Sequence, residues 1–314
     1  MDSGSLDFVA NFSLKFGKSP DQSVLLREHA HFNVGGKADY FFSPSTLSDL
    51  IQAVLIAKES NIPHFIMGGG YNLLFDDEGF RGMIIKNCVK GMAKKEAPKI
   101  DVLSGTPLPE LVQFCVDHSL TGFEFLAGIP GTVGGAVFGN AGAFDGAIGS
   151  YLTEALVLDR EGNQICVDQE YFDFDYRQSR LRASKDLLLR ATFVLKEGDG
   201  QQIRAKIDEN LAKREKKHPP KGAACAGSFF KNPALPDGKR MPAAALLDKV
   251  GAKNLSVGGA SVFSGHANFI VNRQAATAKD ILNLAQELKN RVRGKFGILL
   301  EEEVIYLPAD PPWL

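Results

Sequence analysis

The sequence predicts an α+β protein with mostly antiparallel strand pairing, in two or three compact units, rather than a doubly wound parallel sheet. Three observations predict it. Helical and strand-like apolar spacings alternate irregularly, without the regular β-α-β rhythm a parallel sheet needs. The stretch "ALVLDREGNQICV" reads as a hairpin, two apolar runs around a polar Gly-Asn turn. A chain of 314 residues with 44% hydrophobic and 23% charged content is long enough and apolar enough for more than one core.

The elements follow in order. In "STLSDLIQAVLIAKES", Leu47, Leu50, Ile51, Val54 and Leu55 recur at helical spacing, and Thr46 and Asp49 suit a cap and first turn. "HFIMGGGYNLLF" reads as a short strand entering a glycine turn. "RGMIIK" and "IDVLSG" read as strands, followed by a helix over "PELVQFCVDHSL" with Leu111, Val112, Cys115 and Val116 on one face. "DLLLRATFVL" is a further strand. "IRAKIDENLAKREKK" is a helix, then comes a Pro-Gly-Ala loop over 218–227. A last helix opens after Thr277, burying Ile281, Leu284, Ala285, Leu288 and Val292, and leads into a final strand, "GILLEEEVIYL". No repeat or low-complexity tract interrupts this order. The composition shift at "EGDGQQ", 198–203, marks a domain boundary.

Several function classes are excluded at the level of composition. The net charge of −1 offers no global basic surface for nucleic acid or acidic membrane. Cys88, Cys115, Cys166 and Cys225 lie far apart with no CxxC pair, which argues against a zinc site and a disulfide framework, so no metal is expected. "MDSGSLDFVANF" has neither a basic n-region nor a long apolar run, and no segment reaches the ~18 apolar residues of a spanning helix. The expectation is a cytoplasmic, soluble protein, monomeric, with no membrane or nucleic-acid partner.

The glycines carry the functional signal. "GGGYNLL" fails the dinucleotide fingerprint, because Leu73 stands where the third glycine belongs and no helix pattern follows. "GKS" at 17–19 fails the P-loop template, because position 12 is Phe. Three clusters remain: Gly35-Gly36, Gly68-Gly69-Gly70, and the run "GIPGTVGGAVFGNAGAFDGAIGS" from Gly128. Any one alone reads as a tight turn between strands. Together, each beside an apolar run, they favour a large phosphorylated cofactor lying close to backbone N–H groups. The long run is not a linker, because Ile129, Val133, Val137 and Phe138 punctuate it and should anchor it in a core.

Here the residues carry a resemblance. "FNVGGKADYF", "GGGYNLLFDDEGFRG" and "FEFLAGIPGTVGGAVFGNAGAF" resemble the flavin-binding half of the UDP-N-acetylenolpyruvoylglucosamine reductases, and "YRQSR", "AGSFFKNP", "GHANFIVN" and "LEEEV" continue it over residues 26–307. The resemblance implies a two-subdomain FAD-binding fold of the vanillyl-alcohol-oxidase/PCMH type plus a C-terminal α+β substrate-binding domain. The expected division is an N-terminal extension at 1–22, FAD subdomains at 23–86 and 87–198, and a substrate domain at 199–314. It implies noncovalent FAD, NADPH as electron donor, and a nucleotide-sugar substrate in peptidoglycan synthesis, with roles in cell-wall biogenesis, cell shape and cell division. Cofactor contacts are expected at Gly35, Gly36, Gly68, Gly69, Gly70, Asn72, Leu73, Gly128, Ile129, Pro130, Gly131, Thr132, Gly134, Gly135, Asn140 and Gly142.

The implied reaction passes hydride to C3 of an enolpyruvyl ether, leaving negative charge at C2 and its carboxylate. Such a site needs a cation or acid for the enolate and a proton donor for C2. Arg177 supplies a fixed fork of donors that suits a carboxylate and keeps its charge near neutral pH; the bland reading is a surface loop arginine. Tyr176 beside it reads as a packing or substrate-lining residue. Ser228 matches the family's proton donor, against a bland reading as a turn residue before a strand. Lys231 and Asn232 are placed to hold the substrate's phosphates or carboxylate. Of Glu301-Glu302-Glu303, alternation in a strand puts the first and third on one face, and the resemblance maps the catalytic glutamate onto Glu303. Cys225 reads as a small core or loop residue. His29, His31 and His64 read as packing or pyrophosphate-facing residues, and His266 as ordering a turn.

The chain departs from the family pattern at Ala30, where threonine or serine is usual, at Tyr71, often serine, and at Ile305, often arginine. The short segment from Arg177 to Leu195 makes it a short form, without an inserted tyrosine loop. Two rivals remain: a covalent-flavin oxidase of the same fold acting on an alcohol or sugar, and a non-enzymatic relative that binds a nucleotide-sugar or partner. The first gives no reason for "GSFFKN" or the terminal glutamate. The complete set of Arg177, Ser228 and Glu303 speaks against the second.

Overall fold

The computed structural model describes residues 3–96, 98–235 and 238–311, so the first two residues of the N-terminal extension and the last three of the chain lie outside the described residues. The chain divides into two compact units, each assembled from separated segments. The first comprises Met1–Gln22, Tyr40–Gly69 and Gly82–Arg214; the second comprises Ser23–Asp39, Gly70–Arg81 and Glu215–Leu314.

The first unit holds two cores. One is closed by a helix that the spacing reading did not give, Ser3–Phe16. Its Phe8 and Phe12 are fully buried and meet Tyr40 and Phe42 edge-on, at ring-centroid distances of 4.8 and 5.0 Å. The expected helix Leu47–Glu59 packs Leu50, Ile51, Ala53 and Val54 into this core, and Thr46 Oγ1 accepts from the Asp49 amide at 3.1 Å. The strand His64–Met67 pairs in parallel with residues 83–86.

The other core lies on a five-stranded antiparallel sheet running, edge to edge, Gln164–Asp168, Leu152–Leu158, Leu187–Val194, Lys99–Leu103 and Met92–Lys94. The first pair is the hairpin of "ALVLDREGNQICV". Asp159 Oδ1 accepts from the Asn163 amide at 2.7 Å and closes its turn, the local bond that favours Asx residues there. The helices Leu108–Asp117 and Val133–Phe138 cover this sheet with Leu108, Leu111, Val112, Val133 and Val137. The helix Gly200–Glu215 packs half-buried Ile207 against the same core.

The second unit centres on the helix Ala278–Phe296, which buries the five residues its spacing predicts, Ile281, Leu284, Ala285, Leu288 and Val292. A capping box of Thr277 and Asp280 starts it and Gly297, at φ +69°, ends it. Against it lies a three-stranded antiparallel sheet of Ser256–Val257, Ala260–Val262 and Ile270–Asn272. Two of the four orphan amides at the helix start are satisfied from far away in sequence. The Asp77 carboxylate accepts from Ala278 N at 2.7 Å and Lys279 N at 3.2 Å. Asp77→Ala is therefore expected to cost about 1 kcal/mol in urea unfolding, with Asp77→Asn recovering part of it.

One sequence expectation is corrected. The final strand does not take in the acidic triplet: it spans only Ile305–Leu307, pairing in parallel with Leu73–Phe75. Glu301 and Glu303 lie outside regular strand, and Glu302 makes a single antiparallel bridge to Phe230. The reason is tertiary. The partner of the triplet is a short irregular segment, Phe229–Lys231, which offers only one bridge before the chain turns to Leu73.

Candidate active site

The first unit brings two of the three glycine clusters together. A Cβ on Gly68 would lie 2.3 Å from Thr132 Oγ1, so the second and third clusters are in contact only because Gly68 has no side chain. The third cluster is pinned from beneath by its own backbone: Leu108 N donates to Gly131 O at 2.9 Å, Val133 N to Thr106 O at 2.9 Å and Gly134 N to Ser104 O at 2.7 Å. Thr132 caps the short helix Val133–Phe138, its hydroxyl accepting from Gly135 N at 3.4 Å. Val133 and Val137 are fully buried, while Ile129 and Phe138 pack partly buried on the same core, so the run is anchored as expected.

The glycines of this run are not equivalent. A Cβ on Gly134 would sit 3.1 Å from Ser104 O, so packing within the unit explains that glycine. Gly135 is exposed, and a Cβ there would meet only Thr132 Oγ1 at 3.7 Å; on Gly131, at φ +121°, it would meet nothing within 4 Å. Glycine inside a helix costs about 1 kcal/mol relative to alanine, and at Gly135 the protein itself gives no steric reason to bear that cost. A large ligand lying on the backbone would give one. On this test Gly131 and Gly135 fit FAD, whereas Gly68 is explained by its contact with Thr132. Gly69 belongs to the same turn, and Gly128 and Pro130 are exposed beside it.

Beyond the helix the chain forms a tight pair of two-residue strands, Gly142–Ala143 with Gly146–Ala147. Asn140 is buried and its amide is committed within the unit, donating to Asp175 O at 2.9 Å and accepting from Gly149 N at 3.1 Å. Gly142 O accepts from Arg177 Nη2 at 2.8 Å. Arg177 is a left-handed residue at φ +55°, a conformation disfavoured without glycine. Its guanidinium lies 5.3 Å from the Tyr176 ring. A second guanidinium stands near: burial, and then the positive charge of Arg177, push the Arg214 side chain below its ordinary pKa. Arg214 also packs on Gly128 and lies 5.4 Å over the Phe144 ring. Sequence reasoning did not single out Arg214, because nothing distinguishes it from the other cations of "AKREKK".

The second unit contains Ser228 and Glu303. Lys231 N donates to Glu301 O and Glu303 N donates to Phe229 O, both at 2.8 Å. Phe229 O also lies 3.5 Å from Val304 N, so two residues of one segment face one of the other, as in a bulge. Ser228 immediately precedes this ladder. Asn72 closes its far side, its Nδ2 donating to Glu303 O at 3.0 Å while its own carbonyl accepts from Ile305 N at 3.0 Å. Leu73 is buried and pairs with Ile305. Lys231 Nζ is 3.4 Å from Glu301, and Asn232 Oδ1 accepts from Ala243 N at 2.9 Å, at the start of the helix Ala243–Lys249.

Gly35 and Gly36 sit in this unit for a packing reason. A Cβ would lie 2.7 Å from Phe75 Cβ at the first and 2.3 Å from Asp77 O at the second. Gly70, at φ +73°, accepts from His31 N at 3.0 Å. The His31 ring packs tilted against Tyr71 with centroids 4.9 Å apart and its Nδ1 lies 2.7 Å from Cys225 O. Cys225 is buried, which pushes its thiol up and away from nucleophilic use. His266 Nδ1 accepts from Asn268 N at 3.3 Å and burial holds its pKa down, as burial does for His64. Among the described residues no three His, Cys, Asp or Glu side chains are grouped to hold a metal, and no helix is long and apolar enough to cross a membrane.

Comparison with known proteins adds the following. Residues 219–307 match the model of the UDP-N-acetylenolpyruvoylglucosamine reductase C-terminal domain, and residues 38–168 match an FAD binding domain. The chain is 36% identical over 289 residues to the UDP-N-acetylenolpyruvoylglucosamine reductase of Clostridium botulinum (strain Eklund 17B / Type B), covering 92% of this chain and 93% of that one. It is 37% identical over 279 residues to that of Clostridium beijerinckii, covering 89% and 90%. The crystal structure of the reductase from Thermus caldophilus superposes with a TM-score of 0.74 at 33% identity, covering 91% of this chain and 98% of that one.

Proposed function

The chain belongs to the UDP-N-acetylenolpyruvoylglucosamine reductase family, and on that premise we propose that it reduces UDP-N-acetylenolpyruvoylglucosamine to UDP-N-acetylmuramate with NADPH. FAD, when bound, would supply the hydride for C3 of the enolpyruvyl group, with NADPH as its source. The remaining work belongs to the chain. Arg177 binds the carboxylate and stabilises the charge that develops across it and C2. Ser228 Oγ gives its proton to C2 as the new C–H bond forms, and a proton from solvent restores the hydroxyl. Glu303 stabilises the enol form or serves the proton relay. The net change is one hydride at C3 and one proton at C2.

The observation that carries this reading is the main-chain ladder that sets Glu303 against Phe229, next to Ser228. We assign residues 23–86 and 87–198 to FAD, through the glycines named above with Thr132, Asn72, Leu73, Ile129, Pro130 and Asn140. Residues 199–314 take the nucleotide-sugar, with Lys231, Asn232 and Tyr176 in contact. The short form, a cytoplasmic location, a monomeric state and a part in cell shape and division go with the same reading. The oxidase alternative has no use for the matched domain at 219–307.

A spectrum and a turnover assay test the function. The purified protein is expected to be yellow and to release its flavin on acid precipitation. NADPH oxidation should proceed only with the enolpyruvyl nucleotide present. A colourless protein, a flavin retained in the acid pellet, or NADPH oxidation indifferent to the nucleotide would each overturn it.

A further inference from the structure

Asn268, in "GHANFIVN", takes no part in the site as read from sequence, yet it makes an unusual set of bonds. Its backbone carbonyl accepts from Phe229 N at 2.8 Å. Its side-chain Oδ1 accepts from Phe230 N at 3.0 Å and its Nδ2 donates to Phe230 O at 2.9 Å. One amide side chain thus pairs with both main-chain groups of a single residue, as a neighbouring strand would. Asn268, Phe229 and Phe230 are all at most 3% exposed, so water does not compete for these bonds.

The other edge of the same segment is held by the acidic triplet, through Lys231 N to Glu301 O and Glu303 N to Phe229 O. The segment Phe229–Lys231 is therefore a strand too short to be one, made rigid by a side chain on one edge and by Glu301–Glu303 on the other. On its N-terminal side Ser228 follows Gly227, which is exposed, at φ +76°, with nothing within 4 Å of a Cβ. On that side the chain is held at Cys225, which bridges Val271, with the open Gly227 between that bridge and the serine. On the C-terminal side Ser228 directly adjoins the paired segment that faces Glu303, and there Asn268 supplies the bonds that no strand makes.

We propose that Asn268 is a positioning residue for proton delivery: through Phe230, its side-chain amide fixes Ser228 in register with Glu303. This rests on the roles given above to Ser228 and Glu303. A shift of about 1 Å in a reacting group can cost on the order of 100-fold in rate, and one lost bond on one edge of a three-residue segment permits a shift of that kind.

The test follows the two half-reactions of the holoenzyme by rapid mixing. Asn268→Asp keeps the acceptor for Phe230 N–H and loses the donor to Phe230 O; Asn268→Ala loses both. Reoxidation of reduced enzyme by the enolpyruvyl nucleotide is expected to slow on the order of 10-fold in the first variant and 100-fold in the second. Its solvent deuterium isotope effect should rise, because proton transfer becomes the slow event. Flavin reduction by NADPH, which takes no proton from Ser228, should stay within about twofold. If Asn268→Ala does not fold, Asn268→Asp and the hydrogen exchange of the Phe230 amide, expected to quicken in that variant, carry the test. The proposal is overturned if both half-reactions slow together, if neither slows, or if the isotope effect does not move. Ser228→Ala run in parallel separates the two levels. Slow reoxidation there with normal Asn268→Asp sinks the positioning role alone. Normal reoxidation in Ser228→Ala sinks the serine assignment and this proposal with it.

Discussion

Ser228→Ala is expected to leave flavin reduction by NADPH nearly unchanged while slowing reoxidation by the enolpyruvyl nucleotide by about 10²–10⁴-fold. That range corresponds to about 3–5 kcal/mol of transition-state stabilisation. The size of the effect follows from the chemistry. Hydride addition at C3 without concerted or prompt protonation at C2 leaves an enolate next to a carboxylate, and two adjacent negative charges need both a cation and an acid. Removing the acid leaves water, which is neither positioned nor held against the ladder of Phe229 and Glu303. The fold should not register the change. Ser228 is half-buried and precedes the paired segment, so thermal unfolding is expected to move little. Stopped-flow absorbance of each half-reaction reads the split directly. Equal slowing of both halves would point to a general loss of structure, and unchanged reoxidation would assign the proton to another group.

The second large effect is expected at Gly135, and its sign on stability is unusual. Gly135→Leu places a side chain on an exposed helical position where a Cβ meets only Thr132 Oγ1, at 3.7 Å. The apoprotein should be as stable as the parent or more so, since glycine gives up about 0.8–1.0 kcal/mol of helix propensity. The holoprotein should not form. The leucine fills the open side of the backbone on which the flavin is to lie, so the visible absorption should be lost on purification. The stabilisation that ligand brings, about 2.7 kcal/mol at a hundredfold excess over Kd, should disappear with it. The measurement pairs a flavin spectrum with thermal unfolding at several FAD concentrations. A variant that binds FAD normally would remove Gly135 from the cradle. Gly134→Leu is a poorer probe: its Cβ would already lie 3.1 Å from Ser104 O, so binding and folding would fail together.

The sequence by itself determined the elements whose information is local. The helices Leu47–Glu59, Leu108–Asp117 and Ala278–Phe296 are written in 3.6-residue spacing and in Thr46 and Thr277 as caps. The hairpin at 152–168 is written in its turn. The motif order was enough to expect the family and its flavin, because such motifs mark backbone that must approach a cofactor. The N-terminal helix was less legible. Its burial of Phe8 and Phe12 depends on Tyr40 and Phe42, partners that no local pattern announces.

Only the tertiary structure decided what each motif residue is for. Three glycine clusters looked alike in sequence, yet Gly35 and Gly36 are required by Phe75 and Asp77, Gly134 by Ser104, and Gly135 by nothing in its own unit. Asp77, inside a motif read for flavin, caps a helix two hundred residues later. The acidic triplet failed to become a strand because its partner segment allows one bridge, and Asn268 makes good the missing edge. The physical reason is the same in each case. Periodicity and capping act over a turn or two of chain, whereas close approach and hydrogen-bond partners are properties of neighbours in space, which the order of residues does not contain.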